Sequence, residues 1–203
     1  DYQSNTISAS VGGFMNYIDN YIFYNTTGEI IDEHPVYRSV QRNAFLRGVE
    51  ASFTLHPIEL LHFENSFSYT RATNRATKQP LPFIPAAALR NELRIEPQIA
   101  GTKRSYISIG LDNYFSQSKV GAFETPTKAY SLLSAALGTT VNLRKNQELT
   151  LYISGKNLLD KKYYDHLSRY KPGRLDEADP TFGIYNPGRN VTFGVILPFN
   201  IKK

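Results

Sequence analysis

Side-chain polarity alternates with period two along most of this chain, and nothing else in the sequence constrains the fold as strongly. From Phe45 to Leu55 the odd positions read Phe45, Arg47, Val49, Ala51, Phe53 and Leu55. The even positions from Gly48 read Gly48, Glu50, Ser52, Thr54 and His56. Beyond a short turn at 57–59, Leu61, Phe63, Asn65, Phe67 and Tyr69 alternate with His62, Glu64, Ser66, Ser68 and Thr70. The rhythm returns at 89–96, 107–112, 133–143, 149–154 and 191–199. Successive side chains of a strand point to opposite faces, so alternation this long predicts strands with one apolar and one polar face. Eight are expected, over roughly 5–24, 36–56, 60–72, 84–97, 104–118, 128–143, 147–163 and 188–199.

These strands are too long for an ordinary globular sheet, whose strands run to about 5–6 residues. They suit a tilted membrane-spanning strand of about 9–11 residues. The connections alternate as well. Short ones fall near 57–59, 98–103 and 144–146, and longer ones near 25–35, 73–83, 119–127 and 164–187. Short turns at one end and long loops at the other are the plan of an outer-membrane barrel. Arg90, Glu92, Arg94 and Glu96 share one face of a single strand. A basic residue facing lipid at the bilayer midplane costs about 2–4 kcal/mol, so that face is expected to line a wet interior and the Leu/Ile/Phe/Val face to meet lipid. Asn65 and Asn91 fall on the lipid face, through an imperfect pattern or a bulge. A tight hairpin at 57–59 would set Phe53 opposite Phe63 and Val49 opposite Phe67.

Composition fits once the two faces are averaged. Mean hydropathy is −0.37 and the apolar fraction 41%, values that by themselves describe a soluble domain. No apolar run approaches the roughly 20 residues of a spanning helix, which leaves a barrel open. Cysteine is absent, which excludes disulfides, thiolate metal sites and cysteine nucleophiles. The net charge of +5 is spread out, without the basic run that nucleic-acid binding calls for. Of the 14 Tyr, Tyr17, Tyr21, Tyr24, Tyr69, Tyr114, Tyr163 and Tyr164 fall near predicted strand ends, as an interfacial girdle requires. Histidines 34, 56, 62 and 166 show no paired ligand spacing, so neither a metal site nor a cofactor is expected. No nucleophile motif or P-loop is present, and the chain is not expected to be an enzyme. It opens without Met or a signal-peptide pattern, which suggests a mature chain or an excerpt.

Several motifs carry a family resemblance. Thr192, Gly194, Leu197 and Phe199 fit the polar-x-Gly-x-x-apolar-x-aromatic pattern by which the barrel-assembly machinery recognises a last strand, although Asn200-Ile201-Lys202-Lys203 follow it. Asn157-Leu158-Leu159-Asp160-Lys161-Lys162-Tyr163, Tyr185-Asn186-Pro187-Gly188-Arg189, Asn43-Ala44 with Gly48 and Glu50, and Pro80-Leu81-Pro82-Phe83-Ile84-Pro85 stand in the order found in TonB-dependent outer-membrane receptors, which the sequence resembles. It departs in Leu159, where Phe is usual, and in Ala86-Ala87. The resemblance implies an all-β antiparallel meander that is a segment of a 22-stranded barrel, with residues 1–203 as its C-terminal part and the plug domain and earlier strands lying outside the chain. It further implies residence in the cell outer membrane, TonB as energy-supplying partner, and uptake of a scarce small molecule. A ferric siderophore is the first expectation, with haem, cobalamin and glycans as alternatives.

Ligand contact is expected in the loops, at Asp165, His166, Arg169, Tyr170 and Arg174, and at Arg71, Arg75 and Lys78. Arg and Tyr there suit an anionic or catecholate chelate. His62, Glu64, Arg90, Glu92 and Arg94 are expected to face the lumen and plug or to bridge one another. Tyr170-Lys171-Pro172-Gly173-Arg174 nearly repeats Tyr185-Asn186-Pro187-Gly188-Arg189, as two turns of one loop or as a repeated ligand contact. Two other architectures compete: a closed eight-stranded barrel with a structural or adhesion role, recognisable by pairing of first and last strands, and a soluble β-module with short strands.

Overall fold

A computed structural model describes residues 1–143, 147–173 and 181–198. The described residues contain nine strands and no helix: β1 Tyr2–Gln3, β2 Ile7–Ile31, β3 His34–Ile58, β4 Leu61–Asn74, β5 Ala88–Ile95, β6 Arg104–Tyr114, β7 Tyr130–Asn142, β8 Glu148–Lys156 and β9 Asn190–Ile196. They form one antiparallel sheet in chain order. Eight are the expected strands and β1 is a two-residue bridge onto β2. β9 pairs with β8 alone, so the pairing that would close a small barrel is absent among the described residues. The strand lengths exclude the soluble module.

The alternation sets the faces as expected. Leu93 lies opposite Ile109, Ile107 opposite Leu137, and Leu137 opposite Ile153. Ile107, Leu137, Phe193 and Val195 are all exposed, which in water would be costly and in lipid is favourable. Asn65 and Asn91 are direct register partners within this apolar face. No bulge intervenes, and Asn91 donates from its side chain to Leu111 O at 3.2 Å, so a hydrogen bond meets part of its polar need.

The boundaries depart from expectation in four places. First, residues 25–35 are not a long loop. β2 and β3 run on to a tight turn at Asp32 and Glu33, both with left-handed backbone (φ 48° and 66°). Second, the turn between β3 and β4 is Glu59-Leu60, and the register slips between Leu55 and Ile58. Phe53 therefore faces Asn65, Leu55 faces Phe63 and Val49 faces Tyr69, two residues away from a hairpin at 57–59. Third, β5 begins at Ala88. Pro82 and Pro85 lack the N–H that a ladder needs, and residues 80–87 instead fold over the polar face. Fourth, β6, β8 and β9 end before 115, 157 and 197. Leu197 lies just past β9, and Phe199 lies outside the described residues.

That folded-over segment makes a small core on the face expected to be polar throughout. Ala44, Ala72, Leu81 and Ile84 are buried there, with Ile18, Tyr21, Phe23 and Leu46 against them. A register break between Ile18 and Tyr21 brings this about. Asn20 takes φ 57° and its N–H donates to Asn43 Oδ1 at 3.1 Å. The extra residue turns Tyr21 and Phe23 onto the same face as Ile18. Leu81 is pinned by its N–H donating to Ala72 O at 3.0 Å. The girdle is accordingly only partial. Tyr17, Tyr24 and Tyr69 are exposed on the apolar side, Tyr21 packs in the core, and Tyr114 joins an aromatic stack described below.

Candidate functional site between the outer loops

Three long connections, residues 75–87, 115–129 and the described parts of the last, 157–173 and 181–189, leave the sheet at one end and lock together. Glu124, nearly fully buried, accepts the Phe83 N–H at 3.1 Å and the Gly121 N–H at 2.9 Å. Its carboxylate lies 3.8 Å from His166 Nε2. Lys171 Nζ donates to Thr125 O and His166 O, each at 2.9 Å, and approaches His166 Nδ1 at 3.3 Å. His166 and Lys171 are 3% and 4% exposed. Burial pushes His166 below its ordinary range; the adjacent Lys171 ammonium adds to this, and Glu124 and Asp165 pull the other way. Tyr130 donates its hydroxyl to Asp165 Oδ2 at 2.9 Å. Its ring stands in a stack with Tyr114 at 4.7 Å and Tyr163 at 4.5 Å. Burial, then Asp165 and Tyr114, push the Tyr163 phenol up. Such a buried polar network is favourable because nearly all its members are satisfied.

Beside the lock lies a cavity of about 430 Å³ whose walls include Lys128, Tyr130, Lys161, Lys162, Tyr163 and Tyr185. Lys162 Nζ lies 5.9 Å above the Tyr185 ring, which stacks on Tyr164 at 4.5 Å. Ammonium groups among phenol rings provide charge and π-surface together, the chemistry that receives a flat anionic ligand.

The expected loop residues separate accordingly. Asp165 and His166 tie loops together. Arg169 lies 5.0 Å over the Phe83 ring and Tyr170 is exposed. Arg174 lies outside the described residues. Arg71, Arg75 and Lys78 are not with them: they share an open concavity with Tyr17, Phe45 and Arg47 on the apolar side of the sheet. The lysines of the cavity were missed because Lys161 and Lys162 sit within the Asn157–Tyr163 motif, and Lys128 stands alone in a polar loop. Tyr170, at the head of the first near-repeat, accepts the N–H of Ile184, the residue just before the second, at 2.8 Å.

His62, Glu64, Arg90, Glu92 and Arg94 do share the polar face, lower on the sheet. Arg94 pairs with Glu96 at 2.8 Å and lies 4.3 Å over the Tyr106 ring. His62 Nε2 lies 4.0 Å from the same Glu96 carboxylate, and bridging reaches no further: Glu64 is the register partner of Glu92, and neither these two nor Arg90 has an ion pair among the described residues. His62 sits against His56, ring centroids 4.6 Å apart, a pairing made by the hairpin and invisible in the spacing. No group of three or more potential metal-ligating side chains occurs among the described residues.

The motifs are structural fasteners. Asn157, 4% exposed and left-handed at φ 49°, accepts Lys161 N–H at 2.8 Å. It donates to Lys161 O at 3.0 Å and to Pro187 O at 3.4 Å. Asp160 accepts Arg189 N–H at 2.9 Å, and Arg189 Nε donates to Leu158 O at 2.9 Å. The Asn-Leu-Leu-Asp and Tyr-Asn-Pro-Gly-Arg segments are thus two halves of one clasp, closed beneath the cavity wall. Ala44 is fully buried under Leu81. Gly194 lies beneath the Tyr152 ring, where a Cβ would clash.

The family described as "TonB dependent receptor-like, beta-barrel" matches residues 1–158. Among solved structures, one titled "Copper transporter OprC" superposes with a TM-score of 0.77 at 16% identity, covering 96% of this chain and 29% of that one. The chain therefore spans less than a third of that transporter's length. No curated protein matches in sequence. With the family match extending over most of the chain, and the open meander, apolar outer face and looped end all agreeing with it, this chain belongs to the TonB-dependent receptor β-barrel family of the outer membrane.

Proposed function

We propose that residues 1–203 form the C-terminal part of the barrel of a TonB-energised outer-membrane transporter, and that its ligand is an anionic aromatic chelate of the ferric siderophore class. The lysine- and tyrosine-lined cavity carries this reading. Lys128, Lys161 and Lys162 meet the negative charge, and Tyr163 and Tyr185 stack on the rings. Arg169 and Tyr170 belong to the same outer loop, while Asp165 and His166 keep the loops closed around the cavity. Earlier strands and a plug belong to the rest of the receptor. The row of His62, Glu64, Arg90, Glu92 and Arg94 is then offered to the plug, which TonB pulls. β9, with Thr192 and Gly194, is what the assembly machinery reads.

The test is a titration of the whole receptor with a ferric catecholate chelate, followed by quenching of protein fluorescence. A charge-assisted hydrogen bond contributes about 1.5–3 kcal/mol, so Lys161→Ala with Lys162→Ala is expected to weaken binding at least about a hundredfold. Unchanged affinity in that variant, or tight binding of haem, cobalamin or a neutral glycan in place of the chelate, would overturn the siderophore reading.

A further inference from the structure

Two arginines stand in the wrong place for a lipid-facing wall. Arg47 and Arg71 are direct register partners across β3 and β4, on the face that carries Val49, Phe53, Phe63 and Phe67. Like charges directly opposite one another repel. Neither has a carboxylate partner among the described residues, and Arg71 Nε is shielded from solvent without a hydrogen bond. Arg47 lies 5.7 Å over the Phe45 ring. Lys78 and Arg75 stand close above. Arg75 lies 5.3 Å over the Tyr17 ring and pairs with Asp19, the one acid found on the patch, at 3.2 Å. With Thr73 these side chains line an open concavity of about 480 Å³. Four cations against one carboxylate leave a strong positive excess.

Height identifies what lies alongside. From Leu61, at the short-turn end of β4, ten residues lead to Arg71. At about 3.3 Å per residue and a tilt near 40° they climb roughly 25 Å, the height of a barrel's apolar band. Tyr69, one step below on the same face and exposed, occupies the interfacial position. Arg71 is thus level with the headgroups of the outer leaflet. Met15 stands beside Arg47 as its register partner; with Val11 and Val49 below the patch, all exposed, it offers a surface for acyl chains. A guanidinium fork matches phosphate geometry, and one phosphate between two forks turns the Arg47–Arg71 repulsion into attraction.

We propose that Arg47 and Arg71, with Arg75 and Lys78, hold the phosphate of an outer-leaflet lipid headgroup against the outer wall of the barrel. The inference needs only the barrel's place in the membrane and is independent of the transported ligand.

The test uses the whole receptor extracted from outer membranes in mild detergent, with Arg47→Gln/Arg71→Gln beside it. Retained lipid is identified by native mass spectrometry. Rebinding is measured to nanodiscs containing a bis-phosphorylated glucosamine lipid, the same lipid dephosphorylated, or phosphatidylethanolamine alone. Each surface cation contributes about fivefold to anionic-lipid binding, so the double variant is expected to bind the phosphorylated lipid about 25-fold more weakly. The dephosphorylated lipid should bind the two proteins alike. Heat-modifiable gel mobility reports whether the variant barrel has assembled. Should it fail to assemble, Arg71→Lys, which keeps the charge and loses the fork, is expected to reduce retention severalfold. Equal retention by wild type and an assembled variant, no preference for the phosphorylated lipid, or equal competition by inorganic phosphate at matched concentration would overturn the proposal.

Discussion

Removing the Asn157 side chain should open the clasp beneath the cavity, and two substitutions separate the causes. Asn157→Gly keeps the left-handed backbone without strain and deletes three hydrogen bonds, two of them well formed at 2.8 and 3.0 Å. At about 1 kcal/mol each, the two good bonds amount to roughly 2 kcal/mol. Asn157→Ala loses the same bonds and forces a Cβ-bearing residue without a local polar partner into φ 49°, adding about 1 kcal/mol. Hydrogen exchange of the Lys161 amide, which donates to Asn157 Oδ1, reads this local opening directly. With about 1.4 kcal/mol per tenfold, the glycine variant should exchange about 30-fold faster than wild type, and the alanine variant about 150-fold faster. The Arg189 amide, bonded to Asp160 on the facing segment, should accelerate with it. Amides in the middle of β6 should not change. Unaltered exchange at Lys161, or equal rates in the two variants, would refute the account: the first by showing that the side chain does not hold the clasp, the second by showing that the backbone there carries no strain.

Three other outcomes follow. Gly194→Ala places a methyl group in the Tyr152 ring and should lower the yield of assembled, heat-modifiable barrel; adding Tyr152→Ala should restore it. His166 titrates below its ordinary range. As pH falls through about 6.5 the opened loop therefore takes up a proton before the closed one does. The closed state is favoured above that pH and weakens below it, and proteolytic nicking of residues 157–173 should rise between pH 7.5 and 5.5, with the rise largely abolished in His166→Gln. Tyr130→Phe deletes the bond to Asp165 and leaves a half-buried carboxylate oxygen short of a donor, so it should speed the same nicking about ten- to a hundredfold, on the roughly 1.5–3 kcal/mol of a charged hydrogen bond.

The parts of the fold legible in the sequence are those where two solvents act on one strand. Between Val49 and Leu55, or Leu89 and Ile95, lipid on one side and water on the other write the alternation directly into residue type. Above the membrane both faces are wet, the pattern dissolves, and residues 25–35 read as loop although β2 and β3 remain paired almost to the Asp32-Glu33 turn. The core of Ala44, Ala72, Leu81 and Ile84 escaped for a related reason. A polar inner face is a rule about averages, and a loop folding back inside replaces water with protein. Register at the β3–β4 turn was lost to an irregularity that displaces pairing by two residues and leaves the faces unchanged, so polarity could not report it. The candidate site was legible as a loop region and not as a set of residues. Asp165 and His166 were visible as chemistry, but the burial of His166 depends on Glu124 from a neighbouring loop and on Lys171 five residues on. The lysines that line the cavity lie inside a motif whose conspicuous members, Asn157 and Asp160, serve the backbone.

The β2–β3 hairpin has a mechanical consequence. Each strand has 25 residues, about 80 Å of ribbon, and less than half of that is needed to cross a bilayer core of about 30 Å. A disordered loop of the same length would absorb displacement as entropy, whereas a paired ribbon behaves as a beam. Its ladder is interrupted at two places, between Ile18 and Tyr21 and between Thr26 and Ile30. A load on the tip at Asp32-Glu33 is carried down to these breaks and bends the ribbon there. The lower break sits on the Tyr21–Leu81 core, so anything that pushes on the tip from outside the cell also presses on the segment that folds into the barrel mouth.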